Sequence, residues 1–558
     1  MNQMIVAADA EGPVLACAQG LSLWGGVDPE TGTILDAHHD QCGQTLAGKI
    51  VVMPTSRGSC SGSSVLLQLM LGGAGPKALV FSQPDSVLTV GALVATRMFD
   101  RPLAVLRLTE EDHAALARAP QASLRGHHLT AEGVDLMLDP LPGAALELTA
   151  EDIAMRDGAR GAALQQAMQV LCDIAVIQGA RTLTDVARAH IDGCIYATAA
   201  HLRFAQTMHR MGAQVAVPTT TNAISVDHAN WRAQGVDPDF GAPAQLLADT
   251  YVALGAQPTF TCAPYLLDHP PPLGEVLGWS ESNAVIFANS VLGARSPKHA
   301  DFLDLFIAMT GRAPLADVYI EANRRPRVVI DVDVPAGHDD ALWPMLGWLA
   351  GQAAPDRIPV LHGLAEAAPS QDDLRALCAA FGTTSGAPML HVAGVTPEAH
   401  LPPVDGAAHL RLGPDDLRRA WRAMNGARGN IDLVALGSPH LSLPETERFA
   451  ELMDGARCAP GTSAILTVSQ SVRDSARSSG ALNRLERSGV QVVTDLCWCS
   501  ITEPVFPPQA RTLMTNSGKY AHYAPALCGR EVRFGSLSAC AQAAQTGQVP
   551  QDPPAWLR

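Results

Sequence analysis

The segment at residues 49–75 constrains the fold more than any other part of the chain. It begins with an apolar, β-branched run that is typical of a short buried strand, and it ends with an apolar run at 65–71 that is typical of a helix. The loop between them, at 55–64, contains two glycines and five serines. Unpaired amides and the dipole at the start of a helix favour an anion and ease deprotonation of a serine hydroxyl. We therefore predict that this loop forms half of an active site.

Composition and charge narrow the class of protein. The chain has 558 residues, 47% of them hydrophobic, so we expect about three to five domains with large cores. The net charge of −16 argues against nucleic-acid binding, which depends on neutralising phosphates with Lys and Arg. The first residues lack a signal-peptide pattern, and no apolar run reaches the ~18 residues of a transmembrane helix. We expect a cytoplasmic protein that acts on a small molecule and has no membrane or nucleic-acid partner.

Changes in pattern along the chain predict one small and one large part. Residues 1–128 alternate short apolar strands with glycine-rich turns, which indicates a compact α/β or β-barrel-like domain, and residues 129–146 are predicted as a linker. From residue 147 onward, amphipathic helices alternate with strand-like runs, as in βαβ units. We divide this large part into α/β lobes at 147–325, 326–405 and 406–558. Predicted helices lie at 161–177 and 196–211, and predicted strands at 213–218, 284–287, 327–332, 431–436, 463–468 and 490–495.

The serine loop allows three interpretations. The sequence GSCSG at 58–62 fits the GxSxG nucleophile elbow of serine hydrolases, with Ser61 as the nucleophile. In that elbow the strand runs directly into the turn, whereas residues 54–57 intervene here. The second interpretation is a serine-rich helix cap without a catalytic role. The third, which we favour, is an anion-binding loop of an active site.

Other polar positions follow apolar runs of the large part. His190 lies in AHIDG at 189–193, which is either part of a site or a surface turn. The polar loop at 217–227, which contains Asn222, follows a predicted strand, and loops after strands are where open α/β sheets bind ligands. Thr and Asn are also ordinary turn residues. Arg295 has the planar fork that matches a carboxylate, although a surface ion pair would explain it equally.

Most of the twelve cysteines are expected to be small buried hydrophobes in a reducing compartment. Cys262 lies between prolines in a polar loop, Cys497 ends a predicted strand, and Cys540 follows a serine-containing turn. None of their spacings is diagnostic, so only a fold that brings them together would make them a cluster site. Cys497 and Cys499 are the one close pair, which is a weak indication of a metal site.

Together these segments resemble the aconitase X family over nearly the whole chain. The small part resembles the swivelling domain of that family at LSLWGGVDPETG (21–32) and RGSCSGS (57–63). The large part resembles the rest of the family at 189–193, 259–265, 278–295, 437–443 and 515–523. These matching stretches are long, several and in the same order as in the family, so the resemblance is specific.

The resemblance implies an α/β, aconitase-like fold, with a small N-terminal swivelling β/α domain and about three α/β lobes around a central cleft. Single-chain members with the small domain first are cis-3-hydroxy-L-proline dehydratases. We therefore expect a hydro-lyase that forms Δ1-pyrroline-2-carboxylate, as a monomer or small homo-oligomer. The archaeal two-subunit members dehydrate mevalonate 5-phosphate, which is the alternative substrate.

The family uses an iron–sulfur cluster, and the resemblance implies Cys262, Cys497 and Cys540 as its ligands. A [2Fe–2S] cluster is the expected type. Ser438 stands where some relatives have a cysteine, which leaves a fourth ligand open. Cys60 stands where other members have Thr, so we expect it to be inessential.

The resemblance also assigns roles in the cleft. Ser59 matches the proton acceptor of the family, and Ser63 matches a second recurring serine. The implied substrate-binding residues are Arg57, Gly58, His190, Asn222, Ser282, Arg295, Ser517 and Lys519. Loss of water after removal of the α-proton needs a base, a Lewis acid and a cation for the carboxylate. The remaining alternatives are a serine hydrolase and an iron-responsive RNA-binding protein on an aconitase-like fold, and the negative charge weakens the latter.

Overall fold

The computed structural model of the protein describes residues 2–36, 39–141, 146–550 and 552–558. The N-terminal part forms one mixed sheet with three helices. Its strands are β1 (Gln3–Val6), β2 (Ala10–Ala16), β3 (Ile50–Met53), β4 (Ala78–Phe81), β5 (Ala104–Arg107), β6 (Gln121–Arg125), β7 (His128–Ala131), β8 (Val134–Met137) and β9 (Asp139–Pro140). Its helices are α1 (Gly62–Gly72), α2 (Val87–Phe99) and α3 (Glu110–Leu116). The strand order is β8-β7-β6-β2-β3-β4-β5-β1-β9, with β2 to β5 parallel.

The central strands of this sheet are apolar because both of its faces are covered. Along β3, Val51 and Met53 pack into the core that contains α1 and α2, whereas Ile50 and Val52 pack into the core that contains α3. This alternation follows from the two-residue period of a strand. The apolar run that begins the segment at residues 49–75 is therefore a buried strand, as predicted.

The sheet extends beyond residue 128, where the sequence places the start of a linker. β7 pairs with β6, β8 pairs with β7, and β9 pairs with β1. Residues 142–145 of the predicted linker lie outside the described residues. The strands were missed because each has only two to four residues and mixes polar with apolar side chains.

The first lobe of the large part contains two small sheets. Its strands are β10 (Leu183–Asp185), β11 (Arg188–Ile191), β12 (Thr219–Thr221), β13 (Leu277–Trp279) and β14 (Arg312–Pro314). Its helices are α4 (Ala150–Arg156), α5 (Ala162–Ile177), α6 (Ala199–Arg210), α7 (Pro238–Ala253), α8 (Ser282–Phe287) and α9 (Leu303–Thr310). β10 pairs with β14, and the parallel strands lie in the order β12-β11-β13. The helices predicted at 161–177 and 196–211 are α5 and α6.

Two strands predicted in this lobe are wrong. Residues 213–218 form no strand, and β12 begins only at Thr219. Residues 284–287 belong to the helix α8, whose first turn is capped by the Glu281 carboxylate accepting from Asn283 N at 3.4 Å. A run of four apolar residues has the same appearance in a buried helix as in a buried strand, so periodicity cannot separate the two.

The second lobe is a parallel sheet with helices packed against it. Its strands are β15 (Val328–Val332), β16 (Pro359–His362), β17 (His391–Val392) and β18 (Ala408–Leu412), in the order β17-β16-β15-β18. Its helices are α10 (Leu342–Ala353), α11 (Gln371–Thr384) and α12 (Pro414–Met424). β18 pairs with β15 although it lies after residue 405, so this sheet extends beyond the predicted end of the lobe.

The third lobe has a sheet of five parallel strands and a hydrophobic core of its own. The strands are β19 (Leu433–Leu441), β20 (Ser463–Val468), β21 (Val490–Thr494), β22 (Thr512–Thr515) and β23 (Glu531–Phe534), in the order β21-β20-β19-β22-β23. The helices are α13 (Leu443–Met453), α14 (Gln470–Ser478), α15 (Ala481–Arg487), α16 (Gly518–Cys528) and α17 (Leu537–Thr546). The sequence predicted β15, β19, β20 and β21 correctly, and the α/β fold class is confirmed.

The small domain packs on the first lobe through its helices. α1 contacts α6, α2 contacts α5, and Gln68 Oε1 accepts a hydrogen bond from Ala200 N at 3.1 Å. This packing directs the start of α1 towards the carboxyl ends of β11, β12 and β13. Within the part of the chain that the structure describes, no helix is both long and apolar enough to span a membrane.

Candidate active site

Ser59 lies in the loop just ahead of Ser61, the N-cap residue of α1, where the sequence predicts an activated serine. Its side chain is partly exposed, and Ser59 Oγ accepts a hydrogen bond from Ser61 N at 3.3 Å. Ser59 Oγ also lies 3.4 Å from Ser61 Oγ. An amide at the positive end of a helix stabilises negative charge on the oxygen that accepts from it. The geometry therefore suits Ser59 as a site of negative charge.

Ser61 has neither of the other roles considered for it. It precedes α1 but makes no side-chain capping hydrogen bond. Residues 54–61 separate the end of β3 from α1, so the sharp turn of a nucleophile elbow does not form. Among the described residues, no histidine lies within hydrogen-bond distance of Ser61 Oγ, so a serine hydrolase lacks its base there.

The neighbours of Ser59 shape the loop. Ser63 is fully buried, and its hydroxyl donates to the carbonyl oxygens of Cys60 at 3.0 Å and Asp301 at 3.3 Å. Ser63 therefore joins the small domain to the first lobe and does not present a free hydroxyl to the cleft. Arg57 is exposed and bonds to Gln19 and Asp36 within its own domain. Gly58 has a φ of +91°, and a Cβ there would collide with the hydroxyl of Ser22.

Three polar residues follow the three parallel strands of the first lobe. Asp192 follows β11, Asn222 follows β12, and Glu281 follows β13 by two residues. Asn222 Nδ2 donates to Asp192 and also to Glu281 Oε2 at 3.3 Å. All three side chains are buried. The carboxyl edge of this sheet thus carries an acidic floor, which is the position where parallel sheets bind ligands.

Cys60 connects the serine loop to this floor. Cys60 Sγ donates to Asp192 Oδ2 at 2.9 Å and lies 3.4 Å from the carbonyl oxygen of Ser280. Burial, followed by the nearby carboxylates of Asp192 and Asp301, raises the pKa of the Cys60 thiol. Cys60 is therefore a neutral thiol at the boundary of the two domains.

A buried ion pair closes one side of the cleft. Lys519 Nζ, in the first turn of α16, lies 2.8 Å from Glu281 Oε1, and both side chains are about nine-tenths buried. Burial alone would lower the pKa of Lys519, but Glu281 and the neighbouring thiols outweigh it and raise that pKa well above its usual value. Burial raises the pKa of Glu281, and Lys519 more than offsets this and lowers it. Both groups are therefore charged.

Three cysteine thiols meet beside Lys519. Cys262, Cys497 and Cys499 pack together around Ala223. Hydrogen bonds from Cys262 and Cys499 hold the pKa of the Cys497 thiol well below its usual range, and the contact with Cys497 raises the pKa of the other two. The sulfurs also accept from the backbone, His440 N to Cys262 Sγ at 3.3 Å and Cys499 N to Cys497 Sγ at 3.4 Å.

The prediction of Cys540 as a third ligand needs correction. Cys540 lies on α17 and is fully buried in the hydrophobic core of the third lobe, whereas Cys262 and Cys497 pack in a separate cluster. Cys499 packs beside Cys262 and Cys497 instead, because the turn after β21 brings Cys499 N to the sulfur of Cys497. The close spacing of Cys497 and Cys499 was the signal for this, and the sequence interpretation gave it too little weight.

His190 and Ser282 lie next to the acidic floor. His190 is on β11 and is fully buried, with Nδ1 2.8 Å from Thr220 Oγ1. Burial lowers the pKa of His190 to about 3, so its ring is neutral. Within the described residues, His190 Nε2 has no hydrogen-bond partner. Ser282 is half-buried at the first position of α8, immediately after Glu281.

The side chains of Arg295 and Ser517 bond to other parts of the protein and do not present free groups to the cleft. The Arg295 guanidinium bonds to the carbonyl oxygen of Tyr319 at 3.2 Å and lies within 4 Å of Glu321 and Glu398. It therefore joins the first lobe to the second, and its predicted role as the carboxylate-binding cation is not supported. Ser517 caps α16 by accepting from Tyr520 N at 3.1 Å, and it thereby fixes the helix turn that carries Lys519.

Two further groups near the floor were not predicted. Burial lowers the pKa of Lys298 to about 8, against the opposing effects of Cys60 and Glu281. Lys298 Nζ donates to the carbonyl oxygen of Ser385 at 3.1 Å. Burial raises the pKa of Tyr523 to about 12, against the opposing effect of Lys519. Neither residue belongs to a motif, so only the fold reveals them.

Comparisons with known proteins agree with this fold. The family model for the aconitase X swivel domain matches residues 1–131, and the models for the first, second and third aconitase X domains match residues 145–322, 326–422 and 431–546. Cis-3-hydroxy-L-proline dehydratase of Pseudomonas aeruginosa is 47% identical over 99% of this chain and 97% of its own length.

Other relatives match mainly the large part. Phosphomevalonate dehydratase large subunit of Methanothermobacter thermautotrophicus is 31% identical over 68% of this chain and 94% of its own length. The crystal structure of Thermococcus kodakaraensis aconitase X in its holo-form matches with a TM-score of 0.66 at 29% identity, covering 72% of this chain and all of that one. The full-length family match and the shared fold lead to one conclusion: this chain belongs to the aconitase X family.

Proposed function

We propose that this chain is a hydro-lyase that removes water from cis-3-hydroxy-L-proline. The observation that carries the proposal is the 47% identity, over 99% of the chain, to a dehydratase of that name. The match spans the serine loop and the large part, so both halves of the cleft lie within it. The reaction takes a proton from C2 and the hydroxyl group from C3, and the resulting enamine tautomerises to Δ1-pyrroline-2-carboxylate.

Ser59 is the proposed base at C2. Its oxygen accepts from Ser61 N at the start of α1, where the helix dipole favours the negative charge of a deprotonated hydroxyl. Its partial exposure leaves it open to a substrate in the cleft. General base catalysis contributes on the order of 10²–10⁴-fold, so positioning and activation of the leaving group must supply the rest.

The charges of the cleft complement those of a hydroxyproline. The buried Glu281 carboxylate, which Lys519 keeps ionised, suits the secondary ammonium of the ring. Lys298, with a pKa of about 8, is the cation proposed for the substrate carboxylate, because Lys519 is already paired with Glu281. His190 Nε2 offers a neutral hydrogen-bonding group that lacks a partner among the described residues.

The three converging thiols fit an iron–sulfur cluster, for which we propose the [2Fe–2S] type. The donor set supports this, because Cys497 is poised as a thiolate, backbone N–H groups donate to two sulfurs, and Lys519 supplies positive charge. Held by Cys262, Cys497 and Cys499, the cluster would supply a Lewis acid for the departing hydroxyl. We also propose a cytoplasmic location, where thiols stay reduced and able to hold such a cluster.

The test compares Ser59→Ala with the control Ser61→Ala on anaerobically purified protein. The cyclic imine product is reduced chemically with borohydride and measured as proline. We expect Ser59→Ala to lower kcat by about 10²–10⁴-fold, and Ser61→Ala, which keeps the Ser61 amide, to lower it by less than about tenfold. Near-normal dehydration by Ser59→Ala would refute the assignment of the base.

The alternative substrate is mevalonate 5-phosphate, because the large part is 31% identical to phosphomevalonate dehydratase large subunit. Both compounds are assayed side by side with the unmodified chain. Turnover of mevalonate 5-phosphate without turnover of cis-3-hydroxy-L-proline would replace the proposed substrate. Size-exclusion chromatography of the same sample tests the proposed state of a monomer or small homo-oligomer.

A further inference from the structure

Three potential metal ligands meet where the small domain touches the first lobe. Cys60 comes from the serine loop, Asp192 follows β11, and Asp301 precedes α9. One ligand atom from each, a sulfur and two carboxylate oxygens, lies within 4.8 Å of the other two, and all three residues are buried. We call these three residues the boundary cluster. It is separate from the thiols of Cys262, Cys497 and Cys499.

The buried carboxylate of Asp301 is the feature that indicates a bound ligand. Its side chain is only 1% exposed, and within the described part of the chain neither of its carboxylate oxygens has a hydrogen-bond partner. The imidazole of His201 lies close by, with Nε2 3.5 Å from Asp301 Oδ2. A buried carboxylate without partners is strongly unfavourable, so such groups pair with a cation or coordinate a metal.

The surroundings add negative charge. Asp304 lies beneath the cluster, and its Oδ2 accepts from Asp192 N at 2.8 Å and from Gly193 N at 3.3 Å. Asp304 is therefore satisfied by backbone amides, but its charge still acts on its neighbours. Burial, followed by the charge of Asp301, raises the pKa of Asp304 to about 7. Three carboxyl groups and one thiol thus lie together in a buried region.

We propose that Cys60, Asp192 and Asp301 bind a divalent transition-metal ion, with Zn²⁺ as the representative, that fastens the small domain to the first lobe. One thiolate and two carboxylates, with an imidazole close by, form a donor set that suits Zn²⁺. The sulfur disfavours Mg²⁺ and Ca²⁺, which take oxygen ligands. Tetrahedral ligands of Zn²⁺ lie about 3.6 Å apart at the usual bond lengths, so small side-chain shifts would suffice.

Charge and protons balance in this step. Without metal, Cys60 is a thiol that donates to Asp192, and the cluster carries two negative charges when both carboxylates are ionised. Binding of a divalent ion releases the thiol proton to solvent, and the thiolate, two carboxylates and the ion together carry one negative charge. Metal binding therefore reduces the buried charge.

The proposal does not depend on the dehydration reaction. Its consequence is mechanical, because the ion would hold the loop that carries Ser59 against the first lobe. Cys60 then has a role in metal binding that its replacement of Thr in the family did not suggest.

The experiment measures metal content of the full-length, anaerobically purified chain. The protein is equilibrated with Zn²⁺, freed of excess ion by gel filtration, and analysed for zinc and iron. The variants are Cys60→Ser and Asp301→Asn. The controls are Cys172→Ser, a half-buried cysteine of α5 outside the cluster, and Cys497→Ser, which removes a proposed iron–sulfur ligand.

We expect stoichiometric zinc in the unmodified chain, in Cys172→Ser and in Cys497→Ser, and zinc affinity lower by at least about 10–100-fold in Cys60→Ser and Asp301→Asn. Iron should fall only in Cys497→Ser. Cobalt should give a thiolate charge-transfer band in the unmodified chain that is absent from Cys60→Ser, and zinc should raise the Tm of the unmodified chain but not of Cys60→Ser.

Three results would overturn the proposal. The first is an unmodified chain without bound zinc. The second is equal zinc in Cys60→Ser. The third is loss of zinc together with iron in Cys497→Ser, which would place the zinc at the three thiols near Lys519. A failure of the proposed dehydration with retained zinc at the boundary cluster would leave this inference intact.

Discussion

The Lys519–Glu281 ion pair gives a quantitative prediction. Its atoms lie 2.8 Å apart and both side chains are about nine-tenths buried. At an effective dielectric constant of about 20, the direct attraction is about 6 kcal/mol, and burial of the two charges offsets most of it. Lys519→Met removes the attraction but leaves the Glu281 carboxylate buried. We therefore expect the free energy of unfolding to fall by about 3–5 kcal/mol.

The double variant Lys519→Met/Glu281→Gln distinguishes the effect of losing the ion pair from the effect of leaving one buried charge unpaired. It removes both charges, so we expect it to recover much of the stability that Lys519→Met loses. Equilibrium urea unfolding under anaerobic conditions measures all three proteins. Arg411→Met, which breaks an exposed ion pair with Asp333, is the control and should change stability little. A Lys519→Met variant as stable as the unmodified chain, or a double variant less stable than Lys519→Met, would refute the reasoning.

The pH dependence of this pair has a definite sign. The pKa of Glu281 is lowered, so its contribution is present above the unfolded value of about 4.3 and is lost as the pH falls through the folded pKa. The pKa of Lys519 is raised, so its contribution is present below the unfolded value of about 10.4 and is lost as the pH rises through the folded pKa. The difference between the unmodified chain and the double variant should therefore be constant between these limits.

Three further predictions concern the cleft. Because the substrate carboxylate would bind the charged form of Lys298, KM should rise as the pH increases through about 8, and Lys298→Met should abolish this dependence in steady-state assays. Cys499→Ser should lower the iron content of the anaerobic protein, whereas Cys540→Ser should leave it unchanged. Elemental analysis measures the iron content of both variants. The reverse result would restore Cys540 as the ligand. Gly58→Ala should destabilise the small domain by about 1–3 kcal/mol in urea unfolding, because φ is +91° and the new methyl group meets Ser22; an unchanged midpoint would contradict this.

The sequence predicted those strands and helices that depend on a local pattern of residues. β15, β19, β20 and β21 were found because each is a β-branched run between turn signals. The helix α8 was missed because its short apolar run lacks a period long enough to identify. The sheet strands after residue 128 were missed for a similar reason, since very short strands give almost no periodic signal.

The site was predictable where a motif carries the chemistry and not where distant segments meet. Ser59 lies at the helix start that its sequence indicates, and Cys262 and Cys497 do come together. The structure separates Cys540 from Cys262 and Cys497 because the position of a cysteine in the sequence does not show which hydrophobic core its side chain enters. Arg295 was misplaced because its partners, Glu321 and Glu398, are distant in sequence. Lys298 acquires its lowered pKa only from burial, which the fold creates.

The division of the cleft between two domains of one chain also affects how binding is controlled. Ser59 and Cys60 belong to the small domain, and their partners belong to the large part. Because both parts belong to one chain, the serine loop has an effective concentration on the order of millimolar with respect to the large part. Docking of the small domain on the large part therefore needs little intrinsic affinity. A substitution that weakens the contact would therefore lower the fraction of closed molecules without causing dissociation. If the same two parts were separate chains, that substitution would make activity depend on protein concentration.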